Sequence, residues 1–220
     1  MKKMMLAAIA MMFTVAGFSQ FSFGVQAIGN LSTATVKNVP DIGFTKKMRM
    51  LPGGGVVAQY DLSDKIAIRS GINYLQQGVT LKTTFDETVN LRARAENKLH
   101  YLQVPVNVLY NIPVGNFKVY AGAGGYVNYG ISGESVQTTS MNMPDGHESV
   151  TVEKLKAFKK EDQGGAGLKK LDIGAGAIAG IQLNNGVFAN VGYQLGLTNI
   201  SEGDGKYKNR GLQLSVGYFF

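Results

Sequence analysis

The sequence predicts an all-β fold, an eight-stranded antiparallel up-and-down β-barrel that crosses a membrane. Three observations carry the prediction. Apolar and polar residues alternate with a period of two from residue 21 to residue 220, as in strands with a different environment on each face. The links between alternating segments are short and long by turns, the rhythm of a barrel with tight turns on one side and loops on the other. After the first nineteen residues no apolar run is long enough for a membrane helix, which needs about 17–25 residues.

Residues 1–19 have the form of a secretory leader. Lys2 and Lys3 precede an apolar stretch, and Gly17 and Ser19 supply small residues at minus three and minus one of a cut before Gln20. A cut after Gln20 serves nearly as well. A retained membrane helix is disfavoured, because the apolar run is at the short limit of a span. Residues 20–220 then form the barrel domain. Losing Lys2 and Lys3 lowers the formal charge from +7 to +5.

The strands follow in order. Phe21, Phe23, Val25 and Ala27 oppose Ser22, Gly24 and Gln26 in the first, while Val56, Ala58 and Tyr60 oppose Gln59 and Asp61 in the second. Ile66, Ile68, Ile72 and Tyr74 oppose Arg69 and Asn73 in the third, and Leu102, Val104, Val106 and Val108 oppose Gln103 and Asn107 in the fourth. The fifth sets Val119, Val127 and Tyr129 against Lys118, Tyr120, Tyr126 and Asn128; the sixth sets Ile173 and Ile181 against Asp172 and glycines. In the seventh Val191, Tyr193 and Leu195 oppose Asn190 and Gln194, and in the eighth Leu212, Leu214, Val216, Tyr218 and Phe220 oppose Gln213, Ser215 and Gly217.

Short links fall at 63–64, 113–116 and 184–186, the last an Asn-Asn-Gly hairpin signal. Long links fall at 32–52, 79–98 and 133–168, with a shorter one at 199–206. Their alternation puts both chain ends on the periplasmic side. A soluble sandwich or lipocalin-like barrel is the competing architecture. The membrane barrel is preferred because a closed sheet bonds every backbone group internally and leaves its apolar face for lipid. Tyr74, Tyr129 and Tyr218 near strand ends suit interfacial aromatic girdles.

An eight-stranded interior is only wide enough for side chains, which argues against a permanent pore. Inward Asp61, Arg69, Lys118 and Asp172 are expected to form a buried ionic network, since charge in a narrow lumen must be paired. Inward glycines beside Tyr120 and Tyr126 make space for aromatic rings.

Composition excludes other classes. The chain has no cysteine, which removes disulfides and a lipid-modified cysteine, and its basic residues are scattered among acids rather than gathered as a nucleic-acid binder requires. Gly174, Gly176 and Gly180 match a dinucleotide-binding spacing but fall on one face of one strand, with no helix to follow. His100 with Glu96 and Ser70 is the one nameable hydrolytic trio, and its spacing does not support one. His100 and His147 are too far apart for a metal site without further ligands. No catalytic, cofactor-binding or metal residue is expected.

In the loops, alternation persists on both sides of Asp86-Glu87, so two strands are expected to continue above the membrane as a hairpin. It would form either a ledge for partner strands or a solvated extension. The charged stretch 153–162, with Leu155 and Phe158 three apart, is expected to be a flexible loop or one short helix.

The segment Tyr101-Leu102-Gln103-Val104-Pro105-Val106, the Phe18-Ser19-Gln20 leader end and the terminal Val216-Gly217-Tyr218-Phe219-Phe220 together resemble the PorT-like outer-membrane β-barrel family of Bacteroidetes. The resemblance spans nearly all of residues 20–220. It implies a bacterial outer-membrane barrel and, from the founding member, a part in protein secretion. The terminal alternation also resembles the signal read by the barrel-assembly machinery, with Tyr218 and Phe220 as its hydrophobic positions and Ser215 where glycine is usual. The expected partners are therefore outer-membrane lipid, the assembly machinery and a secretion or surface protein complex, with no nucleic acid. The expected function is a structural or interaction role through the external loops. The alternatives are an accessory of secretion, a lipid-modifying enzyme and a small-ligand carrier.

Overall fold

A computed structural model describes residues 20–37, 45–86, 91–142, 147–203 and 205–220, so the expected leader lies outside the described residues. Ten strands follow one another: β1 (Phe21–Lys37), β2 (Thr45–Lys47), β3 (Arg49–Asp61), β4 (Ile66–Asp86), β5 (Leu91–Val114), β6 (Phe117–Asn142), β7 (Glu148–Lys156), β8 (Leu171–Leu183), β9 (Val187–Gly196) and β10 (Lys206–Phe219). Eight of them close a ring in the order β1, β3, β4, β5, β6, β8, β9, β10 and back to β1, every pair antiparallel. The eight predicted strands are these eight. β2 and β7 are additions, paired to β4 and β6 outside the ring.

The ring is polar inside and apolar outside. Val25, Ile72, Val106, Val127, Val191 and Val216 are exposed on its outer wall, while Asn30, Gln59, Arg69, Gln103, Asn128 and Asp172 are buried within. A water-soluble protein buries the opposite set. This inversion is stable only where the surrounding solvent is hydrocarbon, and closure satisfies the ladder hydrogen bonds that hydrocarbon cannot. No helix among the described residues is long and apolar enough to cross a membrane.

The strands differ in length for a reason visible in their patterning. A tilted strand needs about 9–11 residues to cross. β9 has 10, whereas β4, β5 and β6 have 21, 24 and 26. Within β5, Leu102, Val104, Val106 and Val108 point out and are exposed; a few residues on, Lys98 and His100 occupy the outward positions and Leu99 and Tyr101 are fully buried inside. β4 changes in the same way, from outward Ile72 and Tyr74 to inward Leu75 and Val79. β10 changes from outward Leu214 and Val216 to inward Tyr207 with outward Arg210. Apolar residues face out in lipid and in above it, so the phase change draws the membrane boundary through Tyr74, Leu102 and Leu212. Tyr74 and Tyr129 are exposed aromatics near that line.

Above the line, β4 and β5 pair from Val79↔Asn97 to Asp86↔Leu91, the continued hairpin expected from the sequence. With β6 and the two short strands they form an open sheet in the order β2, β4, β5, β6, β7. The third long link differs from expectation. Residues 148–156 are strand β7, and only Glu161–Gln163 form a 3-10 turn. The run Val150-Thr151-Val152 is β-branched and pairs with Ser140, Thr139 and Thr138 of β6, which outweighs the helical spacing of Leu155 and Phe158. One further irregularity lies at the boundary. His100 pairs with Ser132 but Tyr101 pairs with Gly130, so Ile131 is the extra residue of a β-bulge.

Candidate functional site: the sealed lumen and the outer sheet

At the short-turn end the lumen is filled around Arg69. Its Nε and Nη2 donate to Gln59 Oε1 at 3.0 and 2.7 Å, Nη2 also reaches Gln182 Oε1 at 3.3 Å, and Nη1 donates to the Tyr120 hydroxyl at 2.7 Å. The guanidinium lies 4.3 Å from the Tyr120 ring centroid, with Phe188 and Phe219 at 5.1 and 5.3 Å. Gln59 Nε2 passes the connection on to Asp61 Oδ1 at 2.8 Å, and Lys118 Nζ sits 3.9 Å from Asp61 Oδ2. Asp61, Arg69 and Lys118 thus belong to one chain of contacts with Gln59 as its relay. Asp172 stands apart. It is fully buried and accepts from Asn128 Nδ2 at 3.1 Å, Asn209 Nδ2 at 2.9 Å and Thr198 Oγ1 at 3.1 Å, all neutral donors. The four residues expected to form one ionic network therefore sit in two layers. Alternation reveals which face a residue occupies but not its height in the barrel. Arg69 is three residues inside the short-turn end of β4, whereas Asp172 is one residue inside the loop end of β8.

Between the layers lies a cavity of about 60 Å³, bordered by Gln26, Asn73, Gln103, Gln194 and Gln213. It has room for water and not for a solute. Above Asp172 the mouth is closed by an apolar plug of Leu99 and Tyr101 from β5, Val79 from β4, Tyr207 from β10, Ala157 and Leu168 from the third long link, and Ile200 from the fourth. Phe158 packs edge-on to Tyr101 with centroids 5.7 Å apart, and its ring occupies the place a side chain on Gly130 would take. Apart from that cavity the lumen is filled by side chains, and among the described residues the open cup of a ligand carrier is not formed.

The sheet above the membrane is built otherwise. Among the described residues β6 is the strand that β7 pairs with, its far edge being bridged at Lys156 to Gly165, and Val150 and Val152 are more than half exposed. Its outer edge offers backbone donors and acceptors to another strand.

The hydrolytic trio is not assembled. Ser70 donates to the Pro105 carbonyl at 2.7 Å, Glu96 pairs with Arg49 and Arg94, and His100 is hydrogen-bonded to the Tyr74 hydroxyl. Burial, and then the charge of Lys98, hold the His100 imidazole below its ordinary range for protonation. His147 is exposed ahead of β7. Gly174, Gly176 and Gly180 lie inside β8, as alternation requires. Gly174 and Gly180 leave space for the rings of Tyr126 and Tyr120. Among the described residues no group of three His, Cys, Asp or Glu is placed to hold a metal. Tyr218 and Phe220 point outward beside the last turn, with Phe220 80% exposed. The plug is what sequence reasoning missed, and its signal is the phase change in alternation at Leu99 and Tyr101.

A family model described as outer membrane protein beta-barrel domain matches residues 18–202. Among solved structures the chain resembles Ail, the attachment invasion locus protein of Yersinia pestis, with 14% identity, 90% of this chain and 99% of that one covered, and a TM-score of 0.40. It also resembles OprG of Pseudomonas aeruginosa, with 15% identity, coverage of 91% and 95%, and a TM-score of 0.40. A third is Neisserial surface protein A, with 16% identity, coverage of 90% and 97%, and a TM-score of 0.38. No curated protein matches the chain.

Proposed function

The chain belongs to the outer membrane protein beta-barrel domain family, and we propose that it is a non-enzymatic interaction component of the outer membrane whose contact surface is the sheet above the lipid. In this reading both termini lie in the periplasm and the long-loop end faces outside. One observation carries it: the lumen is packed shut while β7 is presented as an exposed strand edge. Conduction and ligand storage need space that a cavity of about 60 Å³ does not offer. Strand pairing needs an edge, and this edge is outside the ring that the membrane requires to be closed.

The chain has no cysteine, so single cysteines report cleanly. On intact cells a membrane-impermeant thiol reagent is expected to label Ser149→Cys in β7 and to leave Asn185→Cys in the tight turn unlabelled. A photo-crosslinking residue at Thr151 is then expected to yield protein adducts in living cells that one at lipid-facing Val191 does not. Labelling in the reverse pattern overturns the orientation, and matching adduct patterns at both positions overturn the contact surface.

The PorT-like resemblance supports a second reading, an accessory of protein secretion. The sealed lumen restricts it to a partner of the secretion apparatus and not its conduit. Deletion is expected to strand cargo proteins in the periplasm, and normal cargo display removes the reading.

A further inference from the structure

At the boundary line the outer wall is notched between β5, β6 and the third long link. The bulge at Ile131 interrupts the ladder there, and β8 ends below at Leu171 while β7 begins to pair with β6 only at Glu134, so a gap opens in the wall. The notch has a volume of about 550 Å³ and is bordered by Lys98, His100, Lys156, Lys159 and Lys170, with Ile131 and Phe158 as its apolar lining. Four lysines face one carboxylate, Glu134. No carboxylate among the described residues lies within 4 Å of any of the four. Such clustering is repulsive unless an anion joins it.

Height decides what the anion is. Lys170 Nζ lies 6.0 Å from the ring centroid of Tyr129, and His100 is tied to Tyr74; both tyrosines are exposed aromatics at the boundary. Directly below, Tyr129, Val127, Leu171 and Ile173 are exposed on the lipid-facing wall. A ligand seated here has its charge among ammonium groups and its remainder against an apolar wall. That is the shape of a membrane lipid with a phosphorylated headgroup and not of a soluble anion.

We infer that this notch is a binding site for a phosphorylated glycolipid of the outer leaflet, with Lys98, Lys156, Lys159 and Lys170 holding the headgroup phosphate and the strand wall below them receiving an acyl chain. The assignment of leaflet rests on the orientation proposed above; the site itself does not.

The test is native mass spectrometry of the full-length barrel released from detergent containing bisphosphorylated lipid A or its enzymatically dephosphorylated form. The wild-type chain is expected to retain one phosphorylated lipid in preference to the dephosphorylated one. Replacing Lys98, Lys156, Lys159 and Lys170 together by Gln is expected to weaken retention at least roughly tenfold, lysines near a lipid surface each contributing on the order of 1 kcal/mol. A control replacing Lys47, Lys65, Lys206 and Lys208 by Gln keeps it. Unboiled gel mobility certifies that each variant is folded. Equal retention by the two quadruple variants overturns the site, as does indifference to phosphorylation. Full displacement by millimolar inorganic phosphate assigns a free-anion site and overturns the lipid. Lipid retention combined with reversed thiol labelling retains the site and removes only its leaflet.

Discussion

Arg69 offers the sharpest test of how the lumen is held. The residue is 4% exposed, and its guanidinium donates to Gln59, Gln182 and Tyr120 while lying against three aromatic rings. Arg69→Met keeps most of the volume and removes every donor. Three buried acceptors then lack a partner, at about 1–3 kcal/mol each, and a desolvated cation–π contact of about 2 kcal/mol is lost. Against this, the folded chain no longer bears the cost of taking a guanidinium out of water, several kcal/mol. The balance falls near 3 kcal/mol of destabilisation, because the acceptors remain buried after the charge has gone. At a urea dependence of about 2 kcal/mol per molar, the midpoint moves down by roughly 1.5 M.

The assay is the folded fraction of the detergent-solubilised barrel, read as unboiled gel mobility after equilibration in urea. Gln59→Leu in the Arg69→Met background removes one stranded acceptor and is expected to recover about 1–2 kcal/mol, a coupling that neighbouring residues show and distant ones do not. An Arg69→Met barrel as stable as wild type would mean that desolvation outweighs the contacts, and the lumen argument would then be wrong in sign.

Two further outcomes follow from packing and exposure. Gly130→Ala puts a methyl where the Phe158 ring lies and is expected to cost about 1–3 kcal/mol. Phe158→Ala in the same chain should make the two costs less than additive in the urea assay, and strict additivity would place the ring elsewhere. Phe220→Ala is expected to leave urea stability within about 0.5 kcal/mol, since the side chain is 80% exposed, while lowering the amount of folded barrel recovered from cells. A loss of stability in vitro equal to the loss in cells would remove the assembly role proposed for Tyr218 and Phe220.

The eight ring strands were legible because parity is enforced twice, by lipid on one face and by a narrow polar lumen on the other. Where either constraint lapses the sequence is harder to read. β3 begins at Arg49, seven residues before its alternation can be followed, because Gly53, Gly54 and Gly55 carry no side chains to alternate. Above the boundary both sides of the sheet meet protein or water, and so β7 has no core face and its Leu155 and Phe158 resemble a helical stripe. Inward Leu99 and Tyr101 look like lapses in the pattern of β5 until the plug they build is seen. Asp172 was legible as inward, but its distance from Arg69 depends on strand stagger, which composition does not record.

The third long link ties these features together within four residues. Lys156 ends β7, Ala157 and Phe158 enter the plug over the lumen, and Lys156 and Lys159 border the lysine notch. Gly133 accepts a backbone hydrogen bond from Ala157 at 2.9 Å, and Leu168 donates one to Ala157 at 3.0 Å, so the segment is pinned on both sides. A headgroup held by Lys156 and Lys159 would therefore restrain the base of β7, and whatever loosens Phe158 would loosen both. Packing the mouth of the barrel thus ties the base of β7 to the ring. In the function proposed above, the sealed lumen is the foundation on which the contact surface is held above the lipid.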